Sequence, residues 1–384
     1  MPKSVYKIFL AAVLIILSAC TGPKVRPPES VLDTPEHHYQ NGMKYYEKGE
    51  FDTATREFQM AKDLQPKYAP AYAGLALIDA QKRNFESAFA NLEKADDYAR
   101  NDGEKTLVLI GNMRVLTARR GKNWLEDVEA DFQQGVKLSP QNAALFYYMG
   151  QAHKTAYQFE RAGDDFKKVL ELSTDYILDA NREWNLVQII QRAAPGTIVG
   201  KEIALIDKID RADTAALFIQ ELKLDKLLVE KAPKFDTGFK PPGANDFSAQ
   251  TMVKAAAATD IENHVLKADI DEVIKLNLRG LAPYPDHTFH PDEEINRAAY
   301  AVMLEDIIIA ITKDEALAAK FIGQTSPFPD IRSDHWAFNA IMTVSSRGIM
   351  AAKDIATGEF RPQDSVSGAE ALLIIRQLKE KLKL

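Results

Sequence analysis

The sequence predicts an all-α chain: an N-terminal α-solenoid followed by a mostly helical module of three pseudo-repeats. Two periodicities carry this expectation. Small and aromatic residues recur every 34 positions across residues 36–176, and a Phe-x-Pro element followed by an apolar helix pattern recurs across 177–384. Composition is the third observation. With 46% hydrophobic and 27% charged residues, the chain reads as ordinary globular protein. A length of 384 residues suits two or three domains.

The first element is an address. Lys3 and Lys7 precede the apolar run Ile8 to Leu17, which is short for a membrane span but right for a secretory signal. The run ends in Leu17-Ser18-Ala19-Cys20, and Cys20 is the only cysteine in the chain. This ending resembles the bacterial lipobox. The resemblance implies a signal peptide over 1–19, cleavage before Cys20, and acylation of Cys20 as the mature N-terminus. Several acyl chains together give stable anchoring. Many inner-membrane lipoproteins of diderm bacteria carry aspartate after the cysteine. Thr21 stands there instead, which points to the outer membrane. Residues 20–35, with Pro23, Pro27, Pro28 and Pro35, read as an extended lipidated tether.

The second element spans 36–176. Gly42, Tyr45, Ala54, Phe58, Ala61 and Pro66 are answered by Ala76, Ala88, Leu92 and Ala95. Val128, Phe132, Gly135 and Pro140 end a further unit, and Gly150, Ala162, Phe166 and Val169 form a fourth. Gly111 lies too early relative to Pro140, so Arg119 to Asn123 is read as a lengthened turn. The offsets resemble the tetratricopeptide repeat (TPR). Small residues at the Gly42 and Ala54 positions let antiparallel helices approach, and aromatics at the Phe58 position fill the gap to the next pair. Stacked neighbours then bury faces that no single pair can bury. The resemblance implies about four repeats and a concave face for a protein partner, lined by the first helix of each pair. Tyr39, Met43, Tyr46, Tyr147, Gln151 and Lys154 are the candidates. Inter-repeat packing is the alternative reading of each tyrosine.

The third element spans 177–384. Gly280-Leu281, Phe289-x-Pro291 and Ile295-Asn296-Arg297-Ala298 can be laid over Gly348-Ile349, Phe360-x-Pro362 and Val366-Ser367-Gly368-Ala369. Amphipathic helices follow over Ala298 to Ile311 and Ala369 to Leu382. Gly348 is placed to end a helix. Phe328-Pro329-Asp330 and His335-Trp336-Ala337 open the last unit. These elements resemble the S-layer homology (SLH) domain, with copies at about 180–228, 258–313 and 325–382. In the first copy Ile209-Asp210-Arg211-Ala212 matches the motif, an apolar helix runs from Ala215 to Leu228, and Trp184 is the candidate opening tryptophan. Lys231 to Asn245 reads as an exposed loop.

The SLH resemblance implies non-covalent attachment to cell-wall polymer or peptidoglycan. The candidate wall-polymer residues are Arg211, Arg297, Trp336, Asp330 and Asp286. An arginine at a helix start, beside free amides, suits an anion. A surface salt bridge is its ordinary alternative. For Trp336 the choice is between stacking on a sugar and packing in the core. For Asp286 and Asp330 it is between ligand contact and capping a turn or helix. Gly368 stands where the motif has arginine.

A net charge of −7 argues against nucleic acid as a partner. No metalloprotease, nucleophile-elbow, P-loop or dinucleotide motif is present, so a non-enzymatic protein with no cofactor or metal is expected. His287, His290 and the carboxylates around them read as a solvated turn. The combined expectation is a lipoprotein of the cell envelope, at the outer membrane facing the periplasm, that grips the wall and scaffolds a protein. The alternative is a TPR assembly factor for an envelope secretion or pilus system, with a structural SLH part.

Overall fold

The computed structural model describes residues 25–172, 175–229 and 258–384. The expected signal peptide, the Cys20 acylation site and the Lys231–Asn245 loop lie outside the described residues. The chain divides into two compact units, Met1–Trp184 and Asn185–Leu384. Among the described residues, no helix is long and apolar enough to cross a membrane.

The first unit consists of helix pairs: α1 (Pro35–Glu47) with α2 (Phe51–Leu64), α3 (Ala69–Gln81) with α4 (Phe85–Tyr98), α5 (Asp102–Arg119) with α6 (Trp124–Leu138), and α7 (Ala143–Thr155) with α8 (Phe159–Leu172). Short turns fold each pair back on itself. Each first helix also packs on the next first helix, α1 on α3, α3 on α5, α5 on α7, and this is TPR-like stacking.

The repeat residues explain the spacing. Phe58 is fully buried. Its ring lies where a side chain on Gly42 or Gly74 would begin: a Cβ would stand 2.4 Å and 2.5 Å from ring carbon Cε1. One aromatic thus locks its own pair and the next. Phe166 repeats the contact against Gly150, and Leu145 does so against Gly135. The irregular third unit differs from expectation. Its extra residues go mainly into α5, with 18 residues against 13 in the other first helices, and the turn grows by only one residue. Arg120 and Asn123 close that turn in the left-handed region, at φ 49° and 58°.

Asp131 on α6 is packed against Asn112, whose amide donates to it at 2.6 Å. Burial pushes its carboxyl up to about 6, with Asp127 adding to the rise and the Asn112 bond opposing it. A raised carboxyl binds protons better folded than unfolded. Its favourable contribution is therefore present below about pH 4 and lost as pH rises towards 6. Asp131→Asn is expected to raise the melting temperature at pH 7–8 and to lose that advantage below pH 4. Melting curves across pH check this, and an equal effect at all pH values would refute it.

The second unit opens with the end of α9 (Ile177–Ala193), followed by α10 (Ile198–Ile203) and α11 (Arg211–Ala216). A π-turn (Leu217–Glu221) and α12 (Leu224–Val229) come next. The expected continuous helix from Ala215 to Leu228 is thus broken in two. After residue 258 come α13 (Lys267–Leu276), α14 (Arg297–Thr312), α15 (Phe338–Ser346) and α16 (Gly368–Leu382).

Backbone hydrogen bonds form a ring at the centre of this unit. Ile209 N–H donates to Val366 O at 2.9 Å, Val366 N–H to Ile295 O at 3.0 Å, and Ile295 N–H to Ile209 O at 3.0 Å. All three side chains are buried. The next residue in each copy, Asp210, Asn296 or Ser367, N-caps a helix by accepting from Asp213, Ala299 or Glu370 N–H. Three copies therefore converge on a pseudo-threefold axis.

Two details of the alignment change. The left-handed residue after α13 is Asn277 (φ 51°), and after α15 it is Gly348 (φ 66°). Asn277 and not Gly280 is therefore the counterpart of Gly348, because a helix end is set by the residue that can turn left-handed. Gly280 pairs instead with Ala351. Trp184 lies within α9 and is half-buried, so it does not precede its helix as Trp336 does.

Candidate functional site

The motif arginines are interior. Arg211 retains 5% of its surface and Arg297 3%. Arg211 donates from Nε to Phe289 O (2.7 Å), from Nη1 to Gly280 O (2.6 Å) and from Nη2 to Ala282 O (3.0 Å). Arg297 repeats this one copy later, from Nε to Phe360 O (2.8 Å) and from Nη2 to Ala351 O (2.7 Å), while Nη1 pairs with Glu370. Each guanidinium also sits over the Phe-x-Pro ring, 4.6 Å from Phe289 and 4.5 Å from Phe360. Burial pushes both arginines below their ordinary pKa, and Glu293 and Glu370 oppose it. The expected picture of arginines open to an outside anion gives way to clamps between successive copies. Their donors already hold carbonyls that would otherwise be buried without partners.

Gly368 marks the third joint. A Cβ on it would stand 1.7 Å from Ile203 O. Backbone from the first copy fills the space that an arginine would need.

The acidic candidates also serve the loops. Asp330 accepts from Phe360 N–H (2.9 Å) and Arg361 N–H (2.7 Å), so it ties a distant loop and caps no helix. Asp260 does the same for Phe289 and His290, both at 2.7 Å. Its spacing to Phe289 is one residue shorter than that of Asp330 to Phe360. Asp286 is exposed and caps its turn through Thr288 N–H and Oγ1. Among the described residues no cluster of His, Asp and Glu is arranged to hold a metal.

Trp336 behaves differently. It is 64% exposed and its ring lies against His335, with centroids 5.7 Å apart and planes 29° apart. The core reading of this tryptophan therefore fails. It borders a groove of about 560 Å³ between the second and third copies, with Arg279, Glu305, Ile322 and Asn339. Glu305 is buried at the floor, where it accepts from Arg279 Nη2 (2.5 Å), Thr343 Oγ1 (3.1 Å) and Asn339 Nδ2. Arg279 is half exposed. An apolar ring beside a cation, a carboxylate and an amide can meet a sugar face and its polar substituents together. His264 matches His335, each accepting from the amide two residues on, so Val265 takes the place of Trp336 in the second copy. Val265 is 94% exposed.

Arg279, Glu305 and Asn339 escaped the sequence reading. Glu305 carried a signal, as a carboxylate on the same helical face as the buried Ala301 and Ile308.

Comparison with known proteins bears on the last copy of this unit. Residues 327–372 match the S-layer homology domain. S-layer homology domains bind cell-wall polymers, and this one implies association with the cell surface. The chain is 33% identical over 106 residues to cell surface glycoprotein 1 of Acetivibrio thermocellus, covering 28% of this chain and 4% of that protein. It is 24% identical over 160 residues to human tetratricopeptide repeat protein 6, covering 42% of this chain and 28% of that protein. The chain thus spans only a small part of either relative.

In the first unit, Tyr39 and Met43 line a cavity of about 550 Å³ on the side of the first helices. Burial holds the Tyr39 phenol above its usual range. The other nominated residues point elsewhere or are engaged. Tyr147 packs on Phe166 and stacks on Tyr176 at 4.8 Å, Gln151 donates to Tyr147 Oη at 3.0 Å, and Lys154 pairs with Glu183 at 2.5 Å. Tyr46 takes a bond from Gln81 at 2.7 Å and contacts Arg114. Tyr148, one residue from the nominated Tyr147, is the residue that faces the cavity.

Proposed function

We propose that this chain is a lipoprotein of the bacterial envelope that tethers the membrane to peptidoglycan or an associated wall polymer and scaffolds a protein partner on its solenoid. Acylated Cys20 is the membrane anchor, at the outer membrane facing the periplasm. The S-layer homology module is the wall grip, and the work is mechanical and not catalytic. A stable membrane anchor raises the effective concentration of the wall grip, so a weak grip on the same chain is reinforced.

The observation that carries the reading is the exposed Trp336 beside Arg279 on the groove between copies. An exposed aromatic with a cation and a buried carboxylate beside it suits an anionic or polar glycan. Arg297 contributes by clamping together the second and third copies that form the groove, and Arg211 by clamping the first copy to the second.

Co-sedimentation of the purified chain with isolated sacculi tests the proposal. The chain is expected to bind, and Trp336→Ala to weaken binding about tenfold or more with an unchanged melting temperature, as for an aromatic anchor. Binding that ignores Trp336→Ala, or no binding at all, would remove the wall grip.

One observation favours the assembly-factor reading. The motif arginines are used internally and the Gly368 joint is closed, as in a module kept for structure. Crosslinking in intact cells separates the two, since a discrete protein complex would then dominate over wall material.

A further inference from the structure

The solenoid cavity holds a cation that, among the described residues, forms no ion pair. Arg114 on α5 lines it, and its guanidinium carbon lies 5.0 Å from the Tyr46 ring centroid and 4.5 Å from that of Tyr148. Among the described residues no carboxylate forms an ion pair with it; Tyr46 and Tyr148 lie against it, while Asp175 and Asp179 stand elsewhere in the cavity lining. An arginine drawn out of bulk water ordinarily finds a carboxylate, a carbonyl or a phosphate. Here the partner's place faces about 550 Å³ of open cavity.

The surroundings narrow the ligand. Helix α5 packs between α3 and α7, so the cation stands mid-way along the cavity. Met43 and Leu77 lie on one side of it, Tyr148 and Tyr176 on the other. A chain crossing the cavity would meet apolar and aromatic surface on both sides of the cation, with Tyr39 beside Met43 at one end and Tyr148 beside Tyr176 at the other. Asp175 and Asp179 line the far rim and disfavour a run of acids. A guanidinium's fork of donors matches one carboxylate bidentately.

We propose that this cavity binds an extended segment of a partner protein through a single internal Asp or Glu side chain seated on Arg114 between Tyr46 and Tyr148. The carboxylate is internal because a terminal one would leave half of the cavity's apolar wall unused. This inference rests on the reading of the solenoid as a protein scaffold.

The test selects binders from random peptides displayed in two formats, one with no free carboxyl terminus and one with it free, against the full chain. The internal format is expected to enrich sequences with one acidic residue flanked by aliphatic or aromatic residues. A synthetic enriched peptide with both ends blocked should lose about 10- to 100-fold in affinity on Arg114→Met, the range for a charge-assisted hydrogen bond. The peptide's own Glu→Gln or Asp→Asn exchange should cost the same, and this arm leaves the protein untouched if Arg114→Met fails to fold. Enrichment without an acid, or affinity unchanged in both exchanges, overturns the Arg114 site and leaves the scaffold reading standing. Enrichment only with free carboxyl termini overturns the internal placement. No enrichment in either format overturns the site and the scaffold reading together.

Discussion

Gly368→Ala is expected to destabilise the C-terminal unit by about 3 kcal/mol or more, against the ordinary direction of a glycine-to-alanine change. Within a helix that change usually gains about 0.5–1 kcal/mol. Gly368 is the first residue of α16, where alanine should be welcome. The obstacle comes from another copy. The new Cβ would stand 1.7 Å from Ile203 O and 2.5 Å from Ile203 C, and both atoms are backbone that cannot rotate aside. Relief would require α16 to move, straining the Gly368 N–H bond to Ile206 O at 2.9 Å and the neighbouring Ile209–Val366 bond. For a unit of this size the melting temperature should fall by roughly 6–12 °C. Gly368→Arg, which restores the residue found in the other two copies, should be worse. Thermal unfolding decides the matter, and a Gly368→Ala chain that melts at or above the parent temperature would show that the joint is not closed.

Arg297→Met is the second large effect, at about 3–5 kcal/mol, the range for removing one partner of a buried ion pair. The side chain is 3% exposed, so solvent screening gives little relief. Its loss would leave Phe360 O and Ala351 O without their donors and the Glu370 carboxylate with Lys353 alone. Arg297→Lys should recover only part, because an ammonium cannot reach three acceptors in one plane. Urea unfolding of Arg297→Met, Glu370→Gln and the double variant measures the pair. Stability unchanged in Arg297→Met, with wall binding lost, would return this arginine to the role of a ligand receptor. The same energetics make an Arg211→Ala plus Arg297→Ala chain a poor probe of wall binding, since unfolding alone would abolish it. Trp336→Ala is free of that ambiguity.

Much of the architecture was readable because its causes are local or periodic. Gly42 and Phe58 stand at repeat offsets, and the contact they make is the one the spacing implies, whereas Gly74, two residues before the repeat counterpart Ala76, joins that contact only through packing. Phe289 and Phe360, Ile295 and Val366, and Arg297 and Gly368 all lie 71 positions apart, and the fold brings them to equivalent places. The sites were less legible. Tyr147 and Tyr148 differ by about 100° around a helix, and only packing shows which of them meets the cavity. Arg114 fell in the irregular repeat, where the period gave no register.

By itself the sequence determined helices, caps, the two repeat systems and the order of the modules. These follow from side-chain periodicity and from residues that accept or refuse particular backbone angles. The tertiary structure alone decided what the chemistry-bearing residues do. The motif at Arg211 and Arg297 led to the expectation of arginines open to an anion, yet their donors meet carbonyls some 50–80 positions away in the chain. Gly368 lacks a side chain because the backbone of Ile203 occupies its place. Trp336 is left in solvent because its copy buries Phe338 and Ile341 instead. Whether a polar group faces a ligand or a carbonyl depends on which distant segment closes over it, and that is a property of packing in three dimensions.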